Sequence, residues 1–218
     1  MAETYPQRLR PLFETYSTSI GEGAAIYNGP EYRGNDLSIA GDPYYLTKSF
    51  AYGSVIYMGY QYDSLVMAYD SNIDQLVLAY PNTEGFFAIV PVKSRIDAFR
   101  IHGHTFVHIR DTEKFPGIAE AGYYDVLFDG EHRILARRQK VASDYREGDY
   151  LYRYETNDRY YIRINGEYRI IRGRRGLLSL FSDQKRELRR FIRQSRYDFK
   201  DDPDNLMRVL GPYLDELR

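Results

Sequence analysis

Three of the four histidines fall within seven residues, in a stretch from Arg100 to Arg110 that reads RIHGHTFVHIR. Imidazoles two apart on an extended strand share a face, so His102 and His104 could hold zinc or another borderline metal if a neighbouring strand supplied a third donor. Read as one strand, the stretch puts Arg100, His102, His104, Phe106, His108 and Arg110 on one side. Ile101, Gly103, Thr105, Val107 and Ile109 fall on the other, which is mainly apolar and is expected to pack on the core. Three features argue against a metal. Phe106 interrupts the row, the flanking arginines oppose a cation, and His104 to His108 spans about 13 Å along an extended strand. No nearby run of carboxylates offers a third ligand. The expectation is a polar, solvent-facing strand with no cofactor. His102 and His104 are the metal candidates, and His108 joins them as a candidate binding side chain.

Other chemistry is hard to find in the residue pattern. There is no Gly-x-Ser-x-Gly elbow, phosphate-cradling Gly-Lys-Ser/Thr, dinucleotide fingerprint or His-Glu-x-x-His, so no catalytic residue is assigned. The carboxylates Asp63, Asp70, Asp74, Asp125 and Asp129 are spread over turns and strand ends, where shaping turns is the better account of most of them. Residues 131–200 interleave arginine with aromatic rings, as in YLYRYETNDRYYIRINGEYR, and lead into a helix carrying Lys185, Arg186, Arg189, Arg190, Arg193 and Arg196. Rings that stack on bases and guanidinium groups that meet phosphates suit single-stranded nucleic acid. Glu147, Asp149, Glu155, Asp158 and Glu167 lie in the same region and would repel such a backbone, which counts against nucleic acid as a partner.

These residues must be positioned by a β-rich chain. From Tyr52 onward strand follows strand: a hairpin about Gly59, then an echo in which YDSLVMAY (62–69) and IDQLVLAY (73–80) suit neighbouring strands. The Asp129-Gly130 pair supplies the positive φ of a tight hairpin, and Asn165-Gly166 is the strongest hairpin signal in the chain. On a two-residue loop Arg163 faces Tyr168 and Tyr161 faces Ile170. Neither face is cleanly apolar, so this hairpin belongs at a sheet edge, with Tyr161, Arg163 and Tyr168 as candidate binding residues. At Gly176 the apolar period lengthens from two to about 3.6. Leu177, Phe181, Leu188, Phe191 and Ile192 form a helical stripe, and Ser182 or Asp183 could cap a second segment within it. Asp202-Pro203 starts a last helix that is expected to kink or break at Gly211-Pro212. The fold class is therefore α+β: a predominantly antiparallel β meander, barrel- or sandwich-like, followed by a C-terminal helical unit. The divisions are an N-terminal extension over 1–23, a β domain over 24–173, and helices over 174–218 that pack on the sheet.

Among 218 residues there are 23 Tyr and 11 Phe but no Trp and no Cys. Without cysteine there are no disulfides, thiolate ligands, cysteine nucleophile or acylated anchor. No apolar run reaches the roughly 20 residues of a membrane helix, so an integral membrane protein is not expected. Net charge is −1, but residues 1–130 carry 9 Lys and Arg against 16 Asp and Glu, whereas residues 131–218 carry 21 against 15. Either the halves neutralise each other or the C-terminal half meets an anionic partner; the first is expected, since surface charge is usually only solvated.

The segments IYNGPEY, GSVIYMGYQYDSLVMAYD, GHTFVHI, GYYDVLFDGEHRILARRQK, DRYYIRINGEYRII and KRELRRFIRQSRYDF together resemble a family of uncharacterised exported proteins of Bacteroidota-type bacteria. The resemblance runs from about Ile26 to the end. It implies a cleaved signal peptide and a periplasmic or cell-surface location; from the residues alone a cytoplasmic location stays open. It carries over no catalytic or binding residue. The combined expectation is a non-enzymatic cell-envelope module that binds a protein or glycan. A metal-dependent hydrolase using His102 and His104, and a single-stranded nucleic-acid binder using 131–200, are the alternatives.

Overall fold

A computed structural model describes residues 25–34, 38–46, 49–82 and 85–217. The extension expected over 1–23 lies outside these residues. The described residues form thirteen strands and three helices. The strands are β1 (Ile39–Ala40), β2 (Ala51–Tyr57), β3 (Tyr60–Asp70), β4 (Gln75–Asn82), β5 (Gly85–Ile89), β6 (Ile96–Ile101) and β7 (His104–Ile109). They continue with β8 (Gly122–Phe128), β9 (Ile134–Arg137), β10 (Lys140–Glu147), β11 (Tyr150–Thr156), β12 (Arg159–Ile164) and β13 (Glu167–Ile171). The helices α1 (Gly173–Leu180), α2 (Lys185–Gln194) and α3 (Pro203–Glu216) close the chain.

Ten strands make one open antiparallel sheet in the order β13-β12-β9-β8-β7-β6-β2-β3-β4-β5. This is the expected α+β architecture, curved and not closed. The echoed segments are indeed neighbours, with Met67 opposite Leu78 and Tyr69 opposite Leu76. The Asn165-Gly166 turn sets Tyr161 against Ile170 and Arg163 against Tyr168, and β13 is a sheet edge. A second sheet, not foreseen from the sequence, joins β10 and β11 antiparallel and adds β1 in parallel. Its strands are mostly exposed, so no apolar face gave it away.

Three expectations need correcting. Asp129-Gly130 does not make a tight hairpin: the connection runs from 129 to 133, and Gly130 has no positive φ. The N-cap of α2 is Gln184, not Ser182 or Asp183. And α3 continues through Gly211 and Pro212 without a break, its buried side holding Leu206, Met207, Leu210 and Leu214. Its start is as expected: Asp202 caps it by accepting from the Asn205 amide at 3.2 Å, with Pro203 in the first turn. No helix among the described residues is long and apolar enough to cross a membrane.

The sheet is buried on both faces where it is needed most. On one face Val55, Tyr57, Met67, Tyr69, Phe99, Phe106 and Tyr123 form an aromatic core. Further along, Leu127, Ile134, Tyr160 and Ile162 meet Leu177, Leu188, Ile192, Leu206 and Leu210 of the helices. On the reverse face Ile109, Tyr124, Leu135, Tyr161 and Tyr168 pack together. The functional candidates lie at the seam between the first two cores.

Candidate functional site

The histidine-rich stretch is a hairpin and not one strand. His102 (φ 53°) and Gly103 (φ 79°) form its two-residue turn, and Ile101 pairs with His104. A strand reversed in this way puts cross-strand partners on one face, so His104 joins Ile101, Phe99 and Phe106 on the inner side. The polar, solvent-facing row is thus overturned. Phe106 is fully buried, His108 is half-buried with Nδ1 2.9 Å from the Ile96 carbonyl, and of the three histidines only His102, at the turn, is exposed, as are Arg100 and Arg110 at the ends of the row. Burial holds the imidazoles of both His102 and His108 below their ordinary value.

His104 meets carboxylates whose residue types alone suggest turns. Its Nδ1 lies 2.8 Å from Asp125 Oδ2, and Asp125 is completely buried in the middle of β8. Asp125 pairs across the sheet with Phe106 and Ala136, which fixes it on the inner face. Two residues beyond Ala136, Arg138 reaches the same place with only 2% of its side chain exposed. Its guanidinium donates to Asp125 Oδ2 through Nε (3.0 Å) and a terminal nitrogen, to Asp158 (2.7 Å), and to both oxygens of Asp204 (2.9 and 2.6 Å). Tyr160 adds a hydroxyl donated to Asp204 at 2.7 Å, and the Tyr45 ring lies 5.2 Å from the guanidinium carbon.

These groups are held in place by the local fold. Arg137 ends β9 and Arg138 follows it directly, so the two side chains leave toward opposite faces. Arg137 goes to Asp74, which also accepts from Tyr69 (2.7 Å) and Lys93 (2.6 Å). Arg138 goes to the Asp125 cluster. Asp204 sits in the first turn of α3, where the helix dipole favours a negative charge. One guanidinium therefore ties β8, the β11–β12 connection and the last helix together.

His104, Asp125 and Asp204 offer ligand atoms within 4.8 Å of one another, a set that could grip a metal ion. Arg138, however, bridges the two carboxylates of that set, and Arg208 lies 3.1 Å from His104 Nδ1. A guanidinium is permanently charged and offers the fork geometry carboxylates favour. The cation this cluster requires is thus already part of the chain. The two cleft carboxylates are pushed apart in acidity. Burial and the nearby Asp204 charge raise Asp158 against the pull of Arg138. Burial acts on Asp204 too, but Arg138 and Tyr160 outweigh it and hold it low.

Arg138, Asp158, Tyr160 and Asp204 of this cluster floor an open cleft of about 1150 Å³, with His104 and Asp125 beyond its lining. One wall is the start of α3 with Asp201 and Asp202; another is the β13–α1 junction with Ile171, Arg172 and Gly173; Phe199, Tyr160, Lys140 and Leu46 complete it. The binding residues expected from the edge hairpin are elsewhere. Tyr161 and Tyr168 are buried in the reverse core at 2% and 4% exposure, and Arg163 donates to the Gly130 and Glu131 carbonyls. Arg163 and Tyr168 border only a smaller recess of about 380 Å³. The sequence does hold a signal for this buried cluster: Asp125 interrupts the apolar run GYYDVLF, and Arg138 follows ILA. A lone charge within such a run has to be paired when buried. Comparison with protein-family models, curated proteins and solved structures finds no match.

Proposed function

We propose that this chain is a non-enzymatic binding module of the cell envelope whose cleft holds a glycan or a peptide segment of a protein partner. The observation that carries the reading is the state of the cleft floor: Arg138, Asp158, Asp204 and Tyr160 spend their polar atoms on one another. Groups locked in this way are well placed to present a fixed pattern of charge and poorly placed to move protons. Above them, Phe199 and Leu46 add apolar surface, and Arg172 and Asp201 add exposed polar groups. Apolar walls with a few fixed polar groups are what a small-ligand site needs. The envelope location rests on the family resemblance.

The test is capture from native envelope extract, compared between the parent chain and a Phe199→Ala/Arg172→Ala variant, with glycan and peptide mass spectrometry of what is retained. A glycan or peptide held by the parent and lost by the variant supports the reading. Equal retention by both removes the cleft from the account. A second reading, a metal-dependent hydrolase, has one observation in its favour, the convergence of His104 with Asp125 and Asp204. It would use these residues without His102, and a metal would have to displace Arg138.

A further inference from the structure

The charge imbalance between the two halves is only partly settled inside the molecule. Arg137, Arg138, Lys140 and Arg159 of the C-terminal half pair with Asp74, Asp125, Asp42 and Glu120 of the other. None of the ion pairs among the described residues involves a cation of α2. Helix geometry places Arg186, Arg189, Arg190 and Arg193 within an arc of about 100°, each neighbour about 5–6 Å from the next. All four are exposed, with Lys185 and Arg196 exposed at the two ends of the row. The opposite side of the helix is already used, since Leu188 and Ile192 are buried in the core. Four exposed cations that enter no ion pair among the described residues therefore share one outward-facing stripe.

We propose that this stripe docks on the phosphate-bearing surface of an anionic membrane. A lipid surface offers a dense layer of negative charge that asks for neither rings nor a groove, and basic residues are drawn to it within about a Debye length. Single-stranded nucleic acid would call for stacking platforms beside the arginines. The rings near α2 are not free for that: Phe191 stacks on Tyr213 at 4.0 Å, Phe181 is buried and Phe199 meets Tyr160. Because the apolar side of α2 is committed to the core, docking is purely electrostatic, with no helix inserted. It leaves the cleft, on separate elements, free for its own ligand.

The test is sedimentation of the full chain with vesicles of phosphatidylcholine alone and with roughly 30% phosphatidylglycerol, at about 50 mM and about 300 mM salt. Binding is expected only to the anionic vesicles, and it weakens steeply as salt rises. The variant R186Q/R189Q/R190Q/R193Q should bind at least about 100-fold more weakly, from about fivefold per cation removed. Circular dichroism should show it folded, because these side chains are exposed and enter no ion pair among the described residues; the double variant R189Q/R193Q, losing about 25-fold, provides the same test with a smaller change. Phe199→Ala should bind vesicles as the parent does, so failure of the cleft reading leaves this result intact. The proposal is overturned if the parent ignores anionic vesicles at low salt, if both charge variants bind like the parent, or if an oligonucleotide in the same buffer binds more tightly than the vesicles.

Discussion

Replacing Arg138 by Met keeps the stem and removes the charge from the centre of the cluster. Asp125 would then be a carboxylate with no exposed surface, and one of its oxygens, Oδ1, already accepts no hydrogen bond. Asp158 and Asp204 would face each other across the gap with 14% and 27% of their side chains exposed, so water relieves them in part. Breaking a buried pair from one side costs about 3–5 kcal/mol, chiefly through the charge left behind. For a domain of this size that lowers the melting temperature by roughly 6–20 °C. Urea and thermal unfolding would measure it. The double variant Arg138→Met/Asp125→Asn should recover about half or more of the loss, because the orphaned charge is gone. A single variant within about 1 kcal/mol of the parent, or a double variant no better than the single, would show that Arg138 does not neutralise Asp125.

Two further predictions follow from packing and from titration. Gly211→Ala in α3 tests packing against intrinsic preference: helix propensity alone promises a gain of about 1 kcal/mol, but the new methyl would run into the Phe128 ring. A net loss of about 1–3 kcal/mol is expected in urea unfolding, and a gain would refute the close approach of α3 to β8. The second concerns pH. His102 and His108 hold their protons less tightly folded than unfolded, so the stability they contribute falls as pH drops below the ordinary 6.5. Asp74, Asp97, Asp204 and Asp215 are held low, so their contribution falls as pH drops below 3.8, while the raised Asp70 and Asp158 act in the opposite sense above that value. Melting temperature should decline from pH 7 to pH 5 and again below pH 4. His108→Gln should flatten the first decline, and no change between pH 7 and 5 would contradict it.

What the sequence made readable was local. The turns at Gly59 and Asn165-Gly166, the change of period near Gly176 and the Asp202-Pro203 start are short-range chemistry, and the structure keeps them all. The histidine stretch misled because His102-Gly103 is a turn without the usual Asn-Gly signature, and a two-residue reversal changes which residues share a face. Tyr161 and Tyr168 look like rim residues from their type, but the sheet is covered on both sides there, so their rings are core. Asp125 and Arg138 sit 13 residues apart, on β8 and directly after the neighbouring β9, and Asp204 another 66 residues on in a helix; pairing between separate elements leaves no periodic trace. The only local hint was a charge inside an apolar strand.

A cleft that binds and does not catalyse, as proposed, depends on Arg138 being the cation of the His104, Asp125 and Asp204 cluster. Elemental analysis of the native chain, purified without contact with a nickel column, tests this most directly. No zinc, manganese, iron or nickel is expected in stoichiometric amount. One equivalent of metal in the parent, lost on Asp125→Asn, would contradict it.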